Sequence, residues 1–138
     1  MKPIVQEERT GCGIASVAAL AGVSYARVKA QAARLGICAE DPRLWSDTTY
    51  VRILLAERGM SVSREEHKFV SWQALPERSL LAIKWHREKG KPCWHWVVFV
   101  REKESSYVLD PRRALKKNRR TDFGRMKPKW FIEVHART

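Results

Sequence analysis

The sequence predicts an α+β domain in which helices come first and a C-terminal antiparallel sheet follows. The first half of the chain has helical periodicity with glycine stops, and the second half has short apolar runs between turn signals. With 138 residues, 44% of them apolar, the chain is expected to form one domain, residues 1–138, around one core. Two lobes of this kind place the default binding site in the cleft between them.

Three helices are predicted in the first half. Residues 11–21 are rich in alanine and apolar all round, which predicts a buried helix that ends at the next glycine. Ser24 is expected to cap a second helix, which stops at Gly36. A third helix is expected to begin at a cap, Ser46 or Asp47, and to end at the following glycine.

Five strands are predicted in the second half, because apolar runs alternate there with turn signals. They cover residues 60–63, 80–85, 94–100, 107–110 and 130–135. Residues 88–92 have a turn composition, and residues 101–106 form a polar connection short enough for a hairpin.

A histidine and an aspartate occupy the open ends of two neighbouring predicted strands. If the hairpin is symmetric about Glu102-Lys103, His95 lies opposite Asp110, with Cβ atoms about 4.5–5.5 Å apart. Asp110 could then fix the tautomer of His95. Glu-Lys is a poor two-residue turn, so a slipped register is a second interpretation, and an edge histidine beside an ordinary Asp-Pro turn is a third.

Cys12 lies where the first helix is expected to begin. The positive end of a helix dipole favours the thiolate, and an unpaired backbone N–H of the first turn can donate to an oxyanion. The alternative is that Cys12 is a small buried hydrophobic residue, which is the commoner role of a cysteine in apolar surroundings.

These motifs resemble the C39 (bacteriocin-processing) branch of the papain-like cysteine peptidases. The resemblance spans nearly the whole chain, and it is carried by Gln6, Cys12-Gly13-Ile14-Ala15, His95-Trp96-Val97-Val98 and Tyr107-Val108-Leu109-Asp110-Pro111. It implies a papain-like two-lobed fold with the nucleophile at a helix start. It also implies that Cys12 attacks, His95 exchanges protons, Asp110 orients His95 and Gln6 helps to hold the oxyanion.

The resemblance has limits. Gly11 stands where family members often carry an aspartate, and the chain contains no transporter, so double-glycine specificity is not carried over. The expected function is a cysteine hydrolase or peptidase that cleaves a peptide or other amide bond through a thioester, without cofactor or metal. Acyl transfer at the same site and a non-enzymatic binding protein are the alternatives. A metal site formed by Cys12, Cys93 and His95 is a minor alternative.

The net charge of +12 is concentrated in one segment. Residues 112–129, here called the basic segment, contain nine Lys or Arg residues and the single acid Asp122. The simplest interpretation is a solvated surface loop. The segment could also attract an acidic peptide or protein substrate, and the lack of an aromatic ladder argues against nucleic acid. The sequence sets no oligomeric state.

The chain is expected to be cytoplasmic and without a membrane span. Its longest nearly unbroken apolar stretch, residues 93–100, is far shorter than the roughly 20 residues of a membrane helix. The N-terminus is polar where a Sec signal is apolar, although delivery as an effector by another route is compatible with the sequence. The three cysteines, at positions 12, 38 and 93, form no CxxC motif and suit neither a disulfide framework nor a zinc ribbon.

Overall fold

The computed structural model describes residues 1–135, and it confirms the α+β class. The α-helices are α1 (Cys12–Ala21), α2 (Tyr25–Arg34) and α3 (Thr49–Glu57), and short 3₁₀ helices span Pro42–Ser46 and Phe123–Arg125. The strands are β1 (Ser61–Val62), β2 (His67–Lys68), β3 (Arg78–Glu88), β4 (Lys91–Glu102), β5 (Ser105–Leu109), β6 (Arg119–Arg120) and β7 (Trp130–His135). They pair antiparallel in the order β1-β7-β3-β4-β5-β6, and β2 also pairs with β7.

The helix ends follow the predicted signals closely. α1 is followed by Gly22, which adopts the left-handed conformation that a helix end favours. The Ser24 hydroxyl accepts the N–H of Arg27 and caps α2. The predicted cap of the third helix, Ser46 or Asp47, was wrong by one or two residues, because the N-cap of α3 is Thr48. The Asp47 carboxylate nevertheless accepts the Thr49 N–H at 2.7 Å, which satisfies one donor of the first turn.

The β3–β4 hairpin carries a tight turn at one end and a β-bulge further along. Lys89 and Gly90 both have positive φ, at 50° and 80°, as a two-residue primed turn requires. Ile83 pairs with His95 and the next pair is His86 with Cys93, so Lys84 and Trp85 together face one residue of β4. Such a bulge bends the strand and increases its twist beside His95.

The β4–β5 hairpin differs from its predicted register. Glu102 pairs with Ser105, so the loop is Lys103-Glu104 rather than Glu102-Lys103, and Lys103 takes the positive φ of 55°. The pairing His95 with Asp110 was therefore wrong by two residues. A slip of two leaves every side chain on the same face of the sheet, so the apolar pattern does not distinguish the two registers.

Apolar side chains cover both faces of the sheet. The larger cluster packs the three helices against one face, with α1 lying on β4, and includes Trp94, Trp96 and Trp130 in edge-to-face contact. The smaller cluster lies on the opposite face, where Leu75 and Met126 are buried. This arrangement seats the first turn of α1 beside β4. None of the helices within residues 1–135 has the length and apolarity to cross a membrane.

Candidate active site

Cys12 is the first residue of α1 and is buried against the sheet. Its side chain is 1% exposed, and its Sγ accepts the backbone N–H of Trp96 at 3.5 Å. The thiol therefore lies beside the β4 residue that follows His95. The Gly11 N-cap provides no side-chain hydrogen bond to the helix start, and the N–H of a first-turn residue has no partner within the helix.

Two tyrosines set how closely the chain packs around Cys12. A Cβ at Gly11 would overlap the hydroxyl of Tyr25, and a Cβ at Gly13 would overlap the hydroxyl of Tyr50. Glycine on both sides of the cysteine thus lets the start of α1 pack directly against these rings.

His95 and Asp110 form a direct hydrogen bond despite the shifted register. His95 Nε2 lies 2.7 Å from Asp110 Oδ1. Extending the observed pairing sets Asp110 level with Val97, which shares a face of β4 with His95, so the two side chains meet diagonally. Because Asp110 binds Nε2, the other ring nitrogen, Nδ1, is the one available to Cys12.

Hydrogen bonds from several elements fix both carboxylate oxygens and the backbone N–H of Asp110. Arg120 Nη1 donates to Oδ2 at 2.9 Å, the Arg112 N–H donates to Oδ1 at 3.1 Å, and the Asp110 N–H donates to the Asn118 carbonyl at 2.8 Å. The carboxylate itself has no exposure to solvent. A buried carboxylate is stable only with such partners, so these contacts keep it ionised and fix its direction toward His95.

Arg120 was missed at the sequence level because it belongs to the basic segment, which reads as a solvated surface. Its guanidinium also binds Asp122 through Nε and Nη2, at 2.9 and 2.7 Å. The only sequence signal was the acid at 122, two residues from an arginine, and that spacing is common in exposed loops. The two-residue strand β6, which aims Arg120 inward, is too short to leave a periodic pattern.

The electrostatics of the pair favour imidazolium next to carboxylate. Burial lowers the pKa of His95, but its hydrogen bond to Asp110 and its interaction with Cys12 outweigh burial and raise that pKa to about 9. Burial raises the pKa of Asp110, but the contacts with His95, Arg112 and Arg120 prevail and lower it to about 2. At neutral pH His95 is therefore a cation that is stabilised by the neighbouring carboxylate anion.

The side-chain amide of Gln6 is engaged by backbone carbonyls of its own loop. The Gln6 N–H donates to the Pro111 carbonyl at 2.9 Å, and Nε2 donates to the carbonyls of Glu8 and Arg9, both at 3.0 Å. Gln6 Oε1 is buried without a hydrogen-bond partner among the described residues. In this geometry the side chain organises the segment before Cys12.

A cavity of about 240 Å³ opens beside His95. Cys93 lines it, and so do Arg9 and Trp45, whose guanidinium and ring lie 5.7 Å apart. Trp45 also borders the two neighbouring hollows, so the cleft continues past it in both directions. The predicted alternative of a metal site formed by Cys12, Cys93 and His95 is not found within residues 1–135. The potential metal ligands that lie near Cys93 there are His86 and Glu88.

The fold is that of a known peptidase domain. The structure superposes on the crystal structure of the peptidase domain of Streptococcus ComA, a bifunctional ABC transporter involved in quorum sensing, with a TM-score of 0.62. The match covers 99% of this chain and 98% of that domain at 15% sequence identity. The chain has a papain-like C39 peptidase fold. No protein-family model matches the sequence, and no curated protein is significantly similar to it.

Proposed function

We propose that this protein is a cysteine peptidase, with Cys12 as nucleophile, His95 as acid and base, and Asp110 as the residue that orients His95. The observation that carries the proposal is the convergence of a helix-start cysteine with a His–Asp pair whose carboxylate is buried and whose histidine borders the cavity. The ComA domain supports the peptidase class through its fold. Neither acyl transfer nor nucleic acid binding gains support from that comparison.

The proposed reaction proceeds in two stages. The Cys12 thiolate attacks the carbonyl carbon of a peptide bond, and the proton on His95 Nδ1 passes to the departing amine, which leaves an acyl-thioester. His95 then takes a proton from a water molecule, and the resulting hydroxide attacks the thioester and releases the acid. Asp110 stays ionised throughout and holds Nε2–H, so that Nδ1 is always the nitrogen that faces the reaction.

Two donors are proposed for the oxyanion. The backbone N–H of Cys12 is one, because the first turn of α1 leaves it without a helical partner. The Gln6 amide is the second, and it reaches an oxyanion by giving up one of its carbonyl contacts with Glu8 and Arg9. Gln6 is tied to the Asp110–Pro111 turn through its backbone, which keeps it within this part of the molecule.

Thiol labelling tests the nucleophile. Iodoacetamide at near-neutral pH is expected to modify Cys12 faster than Cys38, although Cys38 is exposed and Cys12 is buried. Cys12→Ser should abolish cleavage of a peptide library while the far-UV spectrum is unchanged, and Cys38→Ser serves as the matched control with full activity. Labelling that follows exposure instead, with Cys38 first, would contradict the proposal.

Substitution of Gln6 tests the oxyanion assignment separately. Gln6→Ala should lower kcat by roughly 10² to 10³, the loss expected for one oxyanion donor, while the alkylation rate of Cys12 barely changes. His95→Ala should reduce both quantities. If Gln6→Ala slows alkylation as much as His95→Ala does, then Gln6 supports the helix start through Glu8 and Arg9, and the oxyanion role is wrong.

A further inference from the structure

We propose that His86, Glu88 and Cys93 form a Zn²⁺-binding site on the wall of the cleft, separate from the catalytic residues. Imidazole nitrogen, carboxylate oxygen and thiolate sulfur are the three ligand types that Zn²⁺ uses in proteins. One such atom from each of these side chains lies within 4.8 Å of the other two. The proposed mechanism uses no metal, so the ion would act as a regulator of the cleft.

The β3–β4 hairpin brings these ligands together. His86 and Cys93 are direct partners across the two strands, and Glu88 lies two residues beyond His86 on the same face of β3. The bulge at Lys84 is essential to this pairing. Without the bulge, the register in which Ile83 pairs with His95 would continue along the strands. His86 would then lie opposite Pro92, which has no ligating atom.

The ring of His86 has the orientation of a metal ligand. Its Nδ1 lies 2.8 Å from the Lys84 carbonyl, to which only an N–H can bind. Metal-bound histidines usually donate their second nitrogen in this way, which leaves the first with a free electron pair. That nitrogen, Nε2, lies 3.2 Å from Glu88 Oε1, a contact that a proton bridges in the imidazolium form and that Zn²⁺ would replace by binding both atoms.

Cys93 supplies the fixed corner of the site. Its side chain is buried, and the Ser46 hydroxyl, from the 3₁₀ helix, lies 3.5 Å from Sγ, where it can donate to a thiolate. Thiolate and carboxylate together balance the charge of Zn²⁺. Ligand atoms at tetrahedral zinc are about 3.4–3.7 Å apart, so the exposed side chains of His86 and Glu88 need to move inward by about 1 Å.

The position of the site gives the ion an effect. The cavity beside His95 is lined by all three ligands, so a bound Zn²⁺ with its fourth ligand, a water, occupies space that the peptide needs. Zinc at this position is expected to inhibit cleavage by opposing substrate binding. This consequence rests on the proposed peptidase function, whereas zinc binding itself does not.

Metal titration in a Cys12→Ser background tests binding without interference from the catalytic thiol. Co²⁺, followed by the absorption that a tetrahedral thiolate complex produces, and Zn²⁺ by competition should show one site per chain. His86→Gln and Cys93→Ser should each weaken binding by at least about tenfold. His135→Gln is the matched control, because His135 pairs with Glu133 on a strand as His86 pairs with Glu88, but without a cysteine.

Binding that is unchanged in both His86→Gln and Cys93→Ser would overturn the site. With Cys12 restored, His86→Gln should raise the Zn²⁺ concentration needed for half-inhibition of peptide cleavage by at least about tenfold. An unchanged half-inhibition with the binding result intact would overturn the regulatory step alone. If the chain cleaves no peptide, the titration still decides whether the site exists, so the two proposals fail separately.

Discussion

Asp110→Asn tests how the charge of one carboxylate sets the protonation of His95. Asparagine keeps the size of the side chain and its oxygen acceptor but removes the negative charge. The pKa of His95 is about 9 against an ordinary 6.5, which corresponds to about 3 kcal/mol in favour of the imidazolium. Cys12 contributes to this preference as well as Asp110. Without the carboxylate we therefore expect the pKa of His95 to fall below its value of about 9, toward the ordinary 6.5.

The measurement is an NMR titration of the His95 ring, made in the Cys12→Ala background so that the thiol makes no contribution to the pKa of His95. Asp122→Asn is the control, because it removes a carboxylate that binds Arg120 but does not touch His95. In the control, His95 should have the same pKa as in the Cys12→Ala parent, and in Asp110→Asn the pKa of His95 should be lower. At near-neutral pH the thiol-containing Asp110→Asn protein should also be alkylated more slowly than wild type, because a less stable imidazolium supports the thiolate less.

A folded Asp110→Asn variant whose His95 titrates with its parent would refute this reasoning, since the carboxylate would then contribute nothing to the imidazolium. The His95 titrations must be compared at a temperature where both variants are folded. Loss of a buried partner leaves the Arg120 guanidinium less compensated, which costs about 3–5 kcal/mol for a fully buried pair and less here, because the Arg120 side chain is 16% exposed.

Further predictions concern the dependence of stability on pH and on packing around Gly13. The pKa of Asp110 is lowered from 3.8 to about 2, so its ionised form stabilises the fold fully above about pH 3.8 and loses this effect as pH falls through about 2; urea unfolding of wild type and Asp110→Asn should converge in that range, and a constant difference would contradict it. The raised pKa of His95 makes its contribution complete below 6.5 and lost as pH rises through about 9. Gly13→Ala should lower the free energy of unfolding by about 1–3 kcal/mol because its Cβ meets the Tyr50 ring, whereas Gly124→Ala, which has open space around its Cβ, should be within ±0.5 kcal/mol of wild type.

The sequence was sufficient to predict where α1 ends and α2 begins, because a single residue with a capping preference marks each of these positions. Ser24 caps α2 with its own hydroxyl, and Gly22 takes the left-handed conformation after α1. The register of the β4–β5 hairpin was not written in this way. A shift of two residues preserves both apolar faces, and the choice between the registers depends on which lysine or glutamate accepts the turn conformation.

The residues of the candidate site likewise fall into those that the sequence pattern predicted and those that it did not. Cys12, His95 and Asp110 could be chosen from the sequence because each lay at or beside the end of a predicted element, although β4 begins four residues before His95. The structure brings the three residues together. Arg120 and the hydrogen bonds of Gln6 depend on loops, where contact follows from the path of the chain rather than from periodicity. The His86 pairing depends on a bulge, and no local composition marked its position.

The turn at Asp110 and Pro111 connects parts of the chain that are far apart in sequence. Asp110 binds His95 and Arg120 with its two carboxylate oxygens, and the Pro111 carbonyl receives the N–H of Gln6. The basic segment is therefore not one functional unit. Arg120 acts inward on the charge of the His–Asp pair, while Arg113 and its neighbours are exposed and are screened by salt. Ionic strength should consequently change the capture of a charged substrate but leave the protonation of His95 nearly constant, because a buried ion pair is screened far less than a surface charge.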